Sequence, residues 1–468
     1  MDSVLTSLKA IVGDTFASNE PEELYVYSRD LGTTEPYSPQ YVVAPRTTEE
    51  VQDIVRLANR EKIPLVPLGG GLTLAGLVMP LKGGIIVDMK RMDSVIEVNE
   101  RARYAVIEAG VSQGKLVAYL HKHHPTLVHS EPGAPAQATV GGNIAIHGQG
   151  DLAQPYGFNS DMVNGLEVVL PTGEVCRVGS CSVSPHWFTM HPLPDLGLFL
   201  GWCGTTGIIT RVSLKLYPAK RIRDSGQFVL EDANLVPDIL YRISHTEMAG
   251  DLIAVNQELP VPVQGLHIIS IFIAGDSEEE VEFKRRLIRL GILQEYIRRG
   301  DGGLIGLSAA VRPRLPRRPP ISTIQDIKKG GGFEYVGAIL PVDTYPECCR
   351  RGADISSRHN IAYTLLARVI GSSHAMMFSW SYVFNRADPE TVRHAREALF
   401  ESDELAIELG GIPWKPGVYG QKLILERMEP NTLRLMQQIK ALLDPNGIMN
   451  PGNWEVSECP SQTTGTET

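Results

Sequence analysis

The chemistry in this chain starts with a run of residues that have no side chains. Pro67-Leu68-Gly69-Gly70-Gly71-Leu72-Thr73-Leu74-Ala75-Gly76 follows the strand-like Ile63 to Val66 and precedes a second apolar run, Gly84 to Met89. Three consecutive glycines remove every Cβ from a tight bend, so backbone N–H groups can turn inward and approach a ligand closely. The group such a nest binds best is an anion, above all a phosphate or diphosphate. Two familiar phosphate loops do not fit. No GxGxxG opens a helix here, since Leu-Val-Met-Pro and another strand follow Gly76, and no Lys-Ser/Thr follows the glycines. Two more small-residue bends lie downstream. One is Glu131 to Gly150, with Thr139-Val140-Gly141-Gly142-Asn143 at its centre; the other is Gly204-Thr205-Thr206-Gly207-Ile208-Ile209-Thr210. Such stretches let backbone pass close to a flat or bulky ligand. Three Gly-rich bends between strands in one half of a chain are hard to explain as turns alone.

The elements that must position these bends read as follows. Gln40 to Pro45 is a short strand, and Thr47 with Glu50 forms a capping box ahead of Val51, Ile54, Val55 and Ala58 at helical spacing. A βαβ unit therefore delivers the glycine loop to a strand end, where open α/β sheets hold ligands. Ser94–Val98 and Tyr104–Gly110 form a strand pair, Val111–His121 a helix, and Gly165–Val178 a hairpin turning at Thr172-Gly173. After Pro218 the pattern changes. Strands at 227–230, 267–274, 335–342, 362–370 and 374–384 alternate with helices at 234–243, 278–296 and 389–409, an antiparallel sheet backed by helices. The Pro/Arg-rich stretch 308–332 reads as a long loop and 457–468 as a disordered polar tail. A last helix spans Glu429 to Leu443 and ends in Asp444-Pro445-Asn446-Gly447-Ile448-Met449-Asn450-Pro451-Gly452.

Composition narrows the class. At 468 residues, 43% hydrophobic and 21% charged, the chain is ordinary for a globular protein of two or three domains. A net charge of −10 argues against a nucleic-acid or anionic-membrane partner. The six cysteines show no CxxC or Cys/His ligand spacing, the N-terminus has no signal-peptide pattern, and no apolar run is long enough to span a bilayer. Cytoplasmic residence is the expectation.

In order and approximate spacing, the 67–76, 139–143, 204–210 and 444–452 motifs resemble the vanillyl-alcohol oxidase / p-cresol methylhydroxylase superfamily of FAD flavoproteins. The resemblance covers nearly the whole chain. It implies an α+β fold: a two-lobed FAD-binding domain (1–217), an inserted α+β cap over the flavin (218–428), and a C-terminal segment (429–456) returning to the FAD domain. By that resemblance Pro67, Leu68, Gly69, Gly70, Gly71, Leu72 and Gly76 cradle the FAD diphosphate, and Thr73 donates a hydrogen bond. Pro132, Thr139, Gly141, Gly142, Asn143, Ile146 and His147 line the ribityl chain and flavin. Gly204, Thr206, Gly207, Ile208 and Ile209 meet the adenine half or diphosphate, and Asn450 approaches from the C-terminal segment.

Two branches of the superfamily compete for the substrate. The D-lactate and glycolate dehydrogenase branch carries a His/Asp-rich metal stretch in the cap, where this chain has Gly371-Ser372-Ser373-His374-Ala375-Met376-Met377. One histidine without carboxylate companions is not a metal site, so none is expected. The phenol-oxidising branch is matched by His147-Gly148-Gln149-Gly150, Pro155-Tyr156-Gly157 and Tyr419. The arginine that follows that tyrosine in the branch is Gly420 here, and the acidic residue after Pro-Tyr-Gly is Phe158. The covalent-flavin position falls near Phe378 and Met377, neither of which can form the link, so FAD is expected to bind non-covalently.

A flavin cap site needs a substrate C–H aimed at the flavin and a group that takes the O–H proton. Tyr419 is the candidate to hold a substrate oxygen, His374 the candidate base, and Arg368 a clamp for a carboxylate. Lys415 reads as a solvated surface lysine. The expected function is oxidation of a CH–OH or benzylic carbon of a small molecule, an aromatic alcohol or a 2-hydroxy acid. Electrons then pass to dioxygen, a quinone or a carrier protein, and a homo-oligomer or partner subunit is possible. The alternative is a flavin-binding subunit whose catalysis lies on a partner chain.

Overall fold

The structure is a computed structural model that describes residues 2–190, 195–256, 265–306, 331–371 and 374–455. Most of the 308–332 loop, the 457–468 tail and Ser372-Ser373 lie outside the described residues.

The first lobe is a small parallel sheet, Tyr41–Val43, Ile85–Asp88 and Leu65–Leu68, with Ala17–Ser18 antiparallel on its edge. The helix Thr48–Glu61 covers it. Thr47 caps this helix by accepting from the Glu50 N–H, and Lys62 ends it in the left-handed region. Val51, Ile54, Val55 and Ala58 are fully buried against the sheet. The second lobe is a five-stranded antiparallel sheet in the order Val95–Asn99, Tyr104–Glu108, Ile208–Lys215, Val163–Val169, Val175–Gly179. Beside it, Thr139 caps a short helix, Val140–Ala145, in a stretch whose glycines give no helix signal in sequence.

The chain leaves the second lobe after Tyr217–Pro218, which pairs with Leu127–Val128, and enters the cap at Ile222–Leu230. The cap is one antiparallel sheet of eight strands: Gly302–Gly306, Ile222–Leu230, His267–Gly275, Ala249–Asn256, Tyr363–Ile370, Ala375–Asn385, Gly331–Leu340 and Ile412–Trp414. Helices that include Val236–Ser244, Glu278–Ile288, Tyr345–Arg358 and Pro389–Glu408 contribute to its largest apolar core, together with Phe228, Phe378, Trp380 and Tyr382. Four of these elements escape the sequence reading, the first being the edge strand Gly302–Gly306, whose three glycines hide it. Ala249–Asn256 begins with Ala-Gly-Asp and carries a bulge between Ala249 and Asp251, which masks its alternation. Ile412–Trp414 is too short to signal. Tyr345–Arg358 contains Gly352, where a Cβ would lie 2.6 Å from Trp380 Cδ1, so tertiary packing overrides helix propensity. The expected helix 278–296 is interrupted by a π turn at Arg289–Leu293, and the predicted loop 308–332 ends early because Gly331 already opens a strand.

The C-terminal segment lies against the first lobe. Leu65 N donates to Ile448 O at 2.7 Å and Asn450 N to Leu65 O at 2.7 Å, while Ile448 and Met449 sit in the core under that sheet. Among the described residues, no helix is long and apolar enough to cross a membrane.

Candidate active site

The glycine loop is pressed against the second lobe. A Cβ on Gly69 would lie 2.1 Å from Thr139 Oγ1, and one on Gly70 2.7 Å from Gln137 O; Gly71 has φ +67°. Only glycine fits this approach. Among the described residues, nothing accepts a hydrogen bond from the N–H groups of Gly70, Gly71, Leu72 or Thr73. Thr73 Oγ1 is also buried without a partner. Buried donors without acceptors are costly and uncommon in native folds. A diphosphate supplies the acceptors this set needs, so the loop fits FAD.

Other predicted cofactor residues sort by what they touch. Gly142 faces the loop, its added Cβ lying 2.9 Å from Thr139 Oγ1 and 3.8 Å from Gly69 Cα. Gly141 does not face it: its N–H donates to Ala109 O, and a Cβ there would strike Ala109 Cβ at 2.6 Å. Gly204 (φ +73°) packs on Pro67, and Ile208 and Ile209 are side chains of the two lobe cores rather than of an open surface. Asn450 has a structural task of its own. Its amide donates to Leu77 O at 3.2 Å and Cys203 O at 2.7 Å, which makes it a clamp between loops. Asn143 accepts from Asn159 Nδ2 at 2.7 Å and lines a small cavity with Gln113, His129 and Ser130. Pro132 is buried and Ile146 partly buried in the same segment.

At the cap boundary an aromatic series forms. His147 stacks on Phe158 with ring centroids 4.4 Å apart, Phe158 is 6.5 Å from Trp414, and Trp414 is 6.4 Å from Tyr335. Trp414 Nε1 donates to His147 O at 2.7 Å, and His147 Nδ1 lies 2.7 Å from Ser160 Oγ. Burial lowers the pKa of His147, which favours the neutral ring. Trp414 shares a cluster with Ile370, Met377 and Leu366, so this face of the cap sheet looks toward the N-terminal lobes. Phe378, one residue on from Met377, points the other way into the helix-backed core.

Lys415 is the residue that sequence reasoning misplaced. It is partly buried, its Nζ lies 4.1 Å from the Trp414 ring centroid, and it lines a cavity of about 580 Å³ between cap and lobes with Tyr335, Phe400, Tyr419, Glu334 and Asp403. Burial pulls its pKa down to about 8. The only sequence signal was its place between a tryptophan and a proline. Glu334 and Asp403 are also buried, which raises them to about 7 and about 8.

The three predicted catalytic residues are not brought together. Tyr419 lines the cavity, but its hydroxyl donates to Glu404 at 2.5 Å and its ring lies on Phe400. His374 sits on an exposed hairpin turn, outside the cavity lining. Arg368 is on the lobe-facing side of the sheet with Leu366 and Ile370, yet its Nη2 pairs with buried Asp251 at 3.0 Å. Asp251 and nearby Asp151 are each raised to about 6 by burial, an effect the Arg368 guanidinium partly offsets.

The comparisons agree with this geometry. Residues 39–179 match the FAD binding domain family, and residues 328–454 match the C-terminal domain of FAD linked oxidases. The chain is 27% identical to an FAD-linked oxidoreductase of Mycobacterium tuberculosis, over 92% of this chain and 94% of that one. It is 25% identical to the glycolate oxidase subunit GlcD of Bacillus subtilis, over 91% of each. Its fold is similar to p-cresol methylhydroxylase with substrate bound, with a TM-score of 0.85 over 97% of both chains at 20% identity. With an orphaned anion cradle and both halves of an FAD-linked oxidase in order, the chain is an FAD-dependent oxidoreductase that has the fold of p-cresol methylhydroxylase.

Proposed function

We propose that the chain oxidises a CH–OH group or a benzylic carbon of a small organic molecule bound in the cavity beneath the cap. The observation that carries this reading is the aromatic series from His147 to Tyr335, which joins the cofactor half of the molecule to that cavity. FAD, held by the Gly69–Thr73 loop, supplies the two-electron acceptor for a hydrogen leaving the substrate carbon. This chain's residues do the rest. Trp414 and Tyr335, on the cavity wall, pack the substrate, and Phe158 beside Trp414 helps exclude water. His147, neutral and oriented by Ser160, accepts the hydroxyl proton as the carbonyl forms. His147 takes this role in place of His374 because it is partly buried and stacks on Phe158 within the aromatic series, whereas His374 is on an exposed turn. The substrate loses one C–H bond and one O–H proton, and its two electrons pass on to dioxygen, a quinone or a carrier protein. Met377, the lobe-facing residue of the Met377 and Phe378 pair, has no group that can bond to the flavin, and non-covalent FAD is part of this reading.

An absorbance spectrum of the purified protein tests this reading. Oxidised-flavin bands that bleach anaerobically with a benzylic alcohol or a 2-hydroxy acid are the expected result. A colourless protein that takes up no added FAD would sink it.

A further inference from the structure

Lys415 has an aromatic ring, Trp414, but no anion beside its ammonium. Among the described residues it makes no ion pair, although it is shielded by Trp414 and lies within reach of no carboxylate that raises its pKa. Its backbone is strained as well: φ is +53° at a non-glycine residue that precedes Pro416. A left-handed residue costs roughly 1–3 kcal/mol, and the position before proline is restricted further. The fold holds it there deliberately. A Cβ on Gly417 would lie 2.9 Å from Ala75 Cβ, so the Lys-Pro-Gly turn is keyed into the end of the glycine loop, at another left-handed residue, Ala75 (φ +62°). His147, whose carbonyl holds Trp414, is also left-handed (φ +58°), as are Cys203 and Asn450. Strain at the cofactor loop, the aromatic series and Lys415 thus converges on one junction.

We propose that Lys415 binds the anionic oxygen of an aromatic substrate, a phenolate or a carboxylate, whose ring packs against Trp414 and Tyr335. This proposal rests on the oxidoreductase reading above. An ammonium seated over the edge of an apolar, aromatic-lined cavity, here 4.1 Å from the Trp414 ring centroid, can recognise an anion carried on a flat apolar body. The cavity is within the usual range of about 300–1,000 Å³ for small-ligand sites. Of the carboxyls on the cavity wall, Glu35 and Glu455 are exposed to solvent, and burial raises Glu334 and Asp403, which weakens their opposition to an anion.

Calorimetric titration of the FAD-loaded protein with 4-hydroxybenzaldehyde and with benzoate tests the proposal and separates phenolate from carboxylate. Lys415→Met should weaken binding of the preferred probe by roughly tenfold to a hundredfold, the loss of one charge-assisted hydrogen bond. Binding of neutral benzyl alcohol and FAD content should stay unchanged, and Lys415→Arg should restore most of the affinity. If Lys415→Met binds both anions as the parent does, or the parent binds neither, the assignment is overturned. Failure of the oxidoreductase reading shows separately, as a flavin that no substrate bleaches while Lys415-dependent anion binding persists.

Discussion

Thr73 and the glycines before it carry the clearest residue-scale consequence. Its hydroxyl is buried without a partner, and the four neighbouring N–H groups have none among the described residues. Thr73→Val keeps the shape and removes the donor. FAD affinity should fall roughly tenfold to a hundredfold, by the ~1.5–3 kcal/mol of a hydrogen bond to a charged group, with the apoprotein's melting temperature unchanged. A fluorescence titration with FAD reads this, and an unaltered Kd would remove Thr73 from the cradle. Gly69→Ala is harsher, because its Cβ has only 2.1 Å to Thr139 Oγ1 and the two lobes must separate to admit it. The residues hardest to assign from sequence were those whose type is ambiguous. A lysine, a tyrosine or an arginine reads the same on a solvated face as in a pocket, so Lys415 looked idle and Arg368 looked free.

At the scale of elements, strand alternation decides Arg368. Leu365, Ala367 and Val369 point into the helix-backed core, which leaves Leu366, Arg368 and Ile370 on the side toward the lobes. There the neighbouring strand supplies Asp251. Because both side chains are nearly buried, Arg368→Leu should destabilise the protein by about 3–5 kcal/mol, the cost of leaving one buried charge unpaired. Arg368→Leu with Asp251→Leu should recover most of that loss, measured by denaturant unfolding. A double variant no more stable than the single one would show that Arg368 acts on something other than Asp251. Sequence periodicity predicted this alternation but not which face was outward, since the strand carrying Asp251 was itself hidden by its bulge.

For the whole molecule, the cap is clamped onto the lobes by polar contacts distant in sequence. Thr33 N donates to Glu334 Oε2 at 2.6 Å, Arg386 to Asp30 O at 2.9 Å, and Gly371 N to Ala153 O at 3.1 Å. Several carboxyls in the cap or where it meets the lobes are shielded from water, Asp251, Glu334 and Asp403 fully and Asp151 in part. Asp151 and Asp251 are raised to about 6, Glu334 to about 7 and Asp403 to about 8, each chiefly by burial. A carboxyl whose folded pKa is raised stabilises the fold fully below its unfolded pKa and loses that contribution as pH rises through the folded value. The melting temperature should therefore fall as pH rises from about 4, where the unfolded carboxyls titrate, to about 8. Asp403→Asn should flatten the upper part of that slope, and identical slopes in parent and variant would show Asp403 is not buried as an acid.

Sequence alone determined the cofactor and the class of fold. A Gly-Gly-Gly bend between strands points by itself only to an anion; FAD was named by the resemblance that the whole set of motifs bears to a flavoprotein superfamily. The ordered motifs at 139–143, 204–210 and 444–452 complete that set. Tertiary structure alone decided the cap's side of the site. It turned Tyr419 toward Glu404, put His374 on an exposed turn and paired Arg368 with Asp251, while seating Lys415 beside Trp414 in a cavity. The physical reason is that a cradle is made of one contiguous loop, whereas a substrate pocket is assembled from side chains far apart in sequence. Their charges and exposures are set by neighbours that only the folded chain provides.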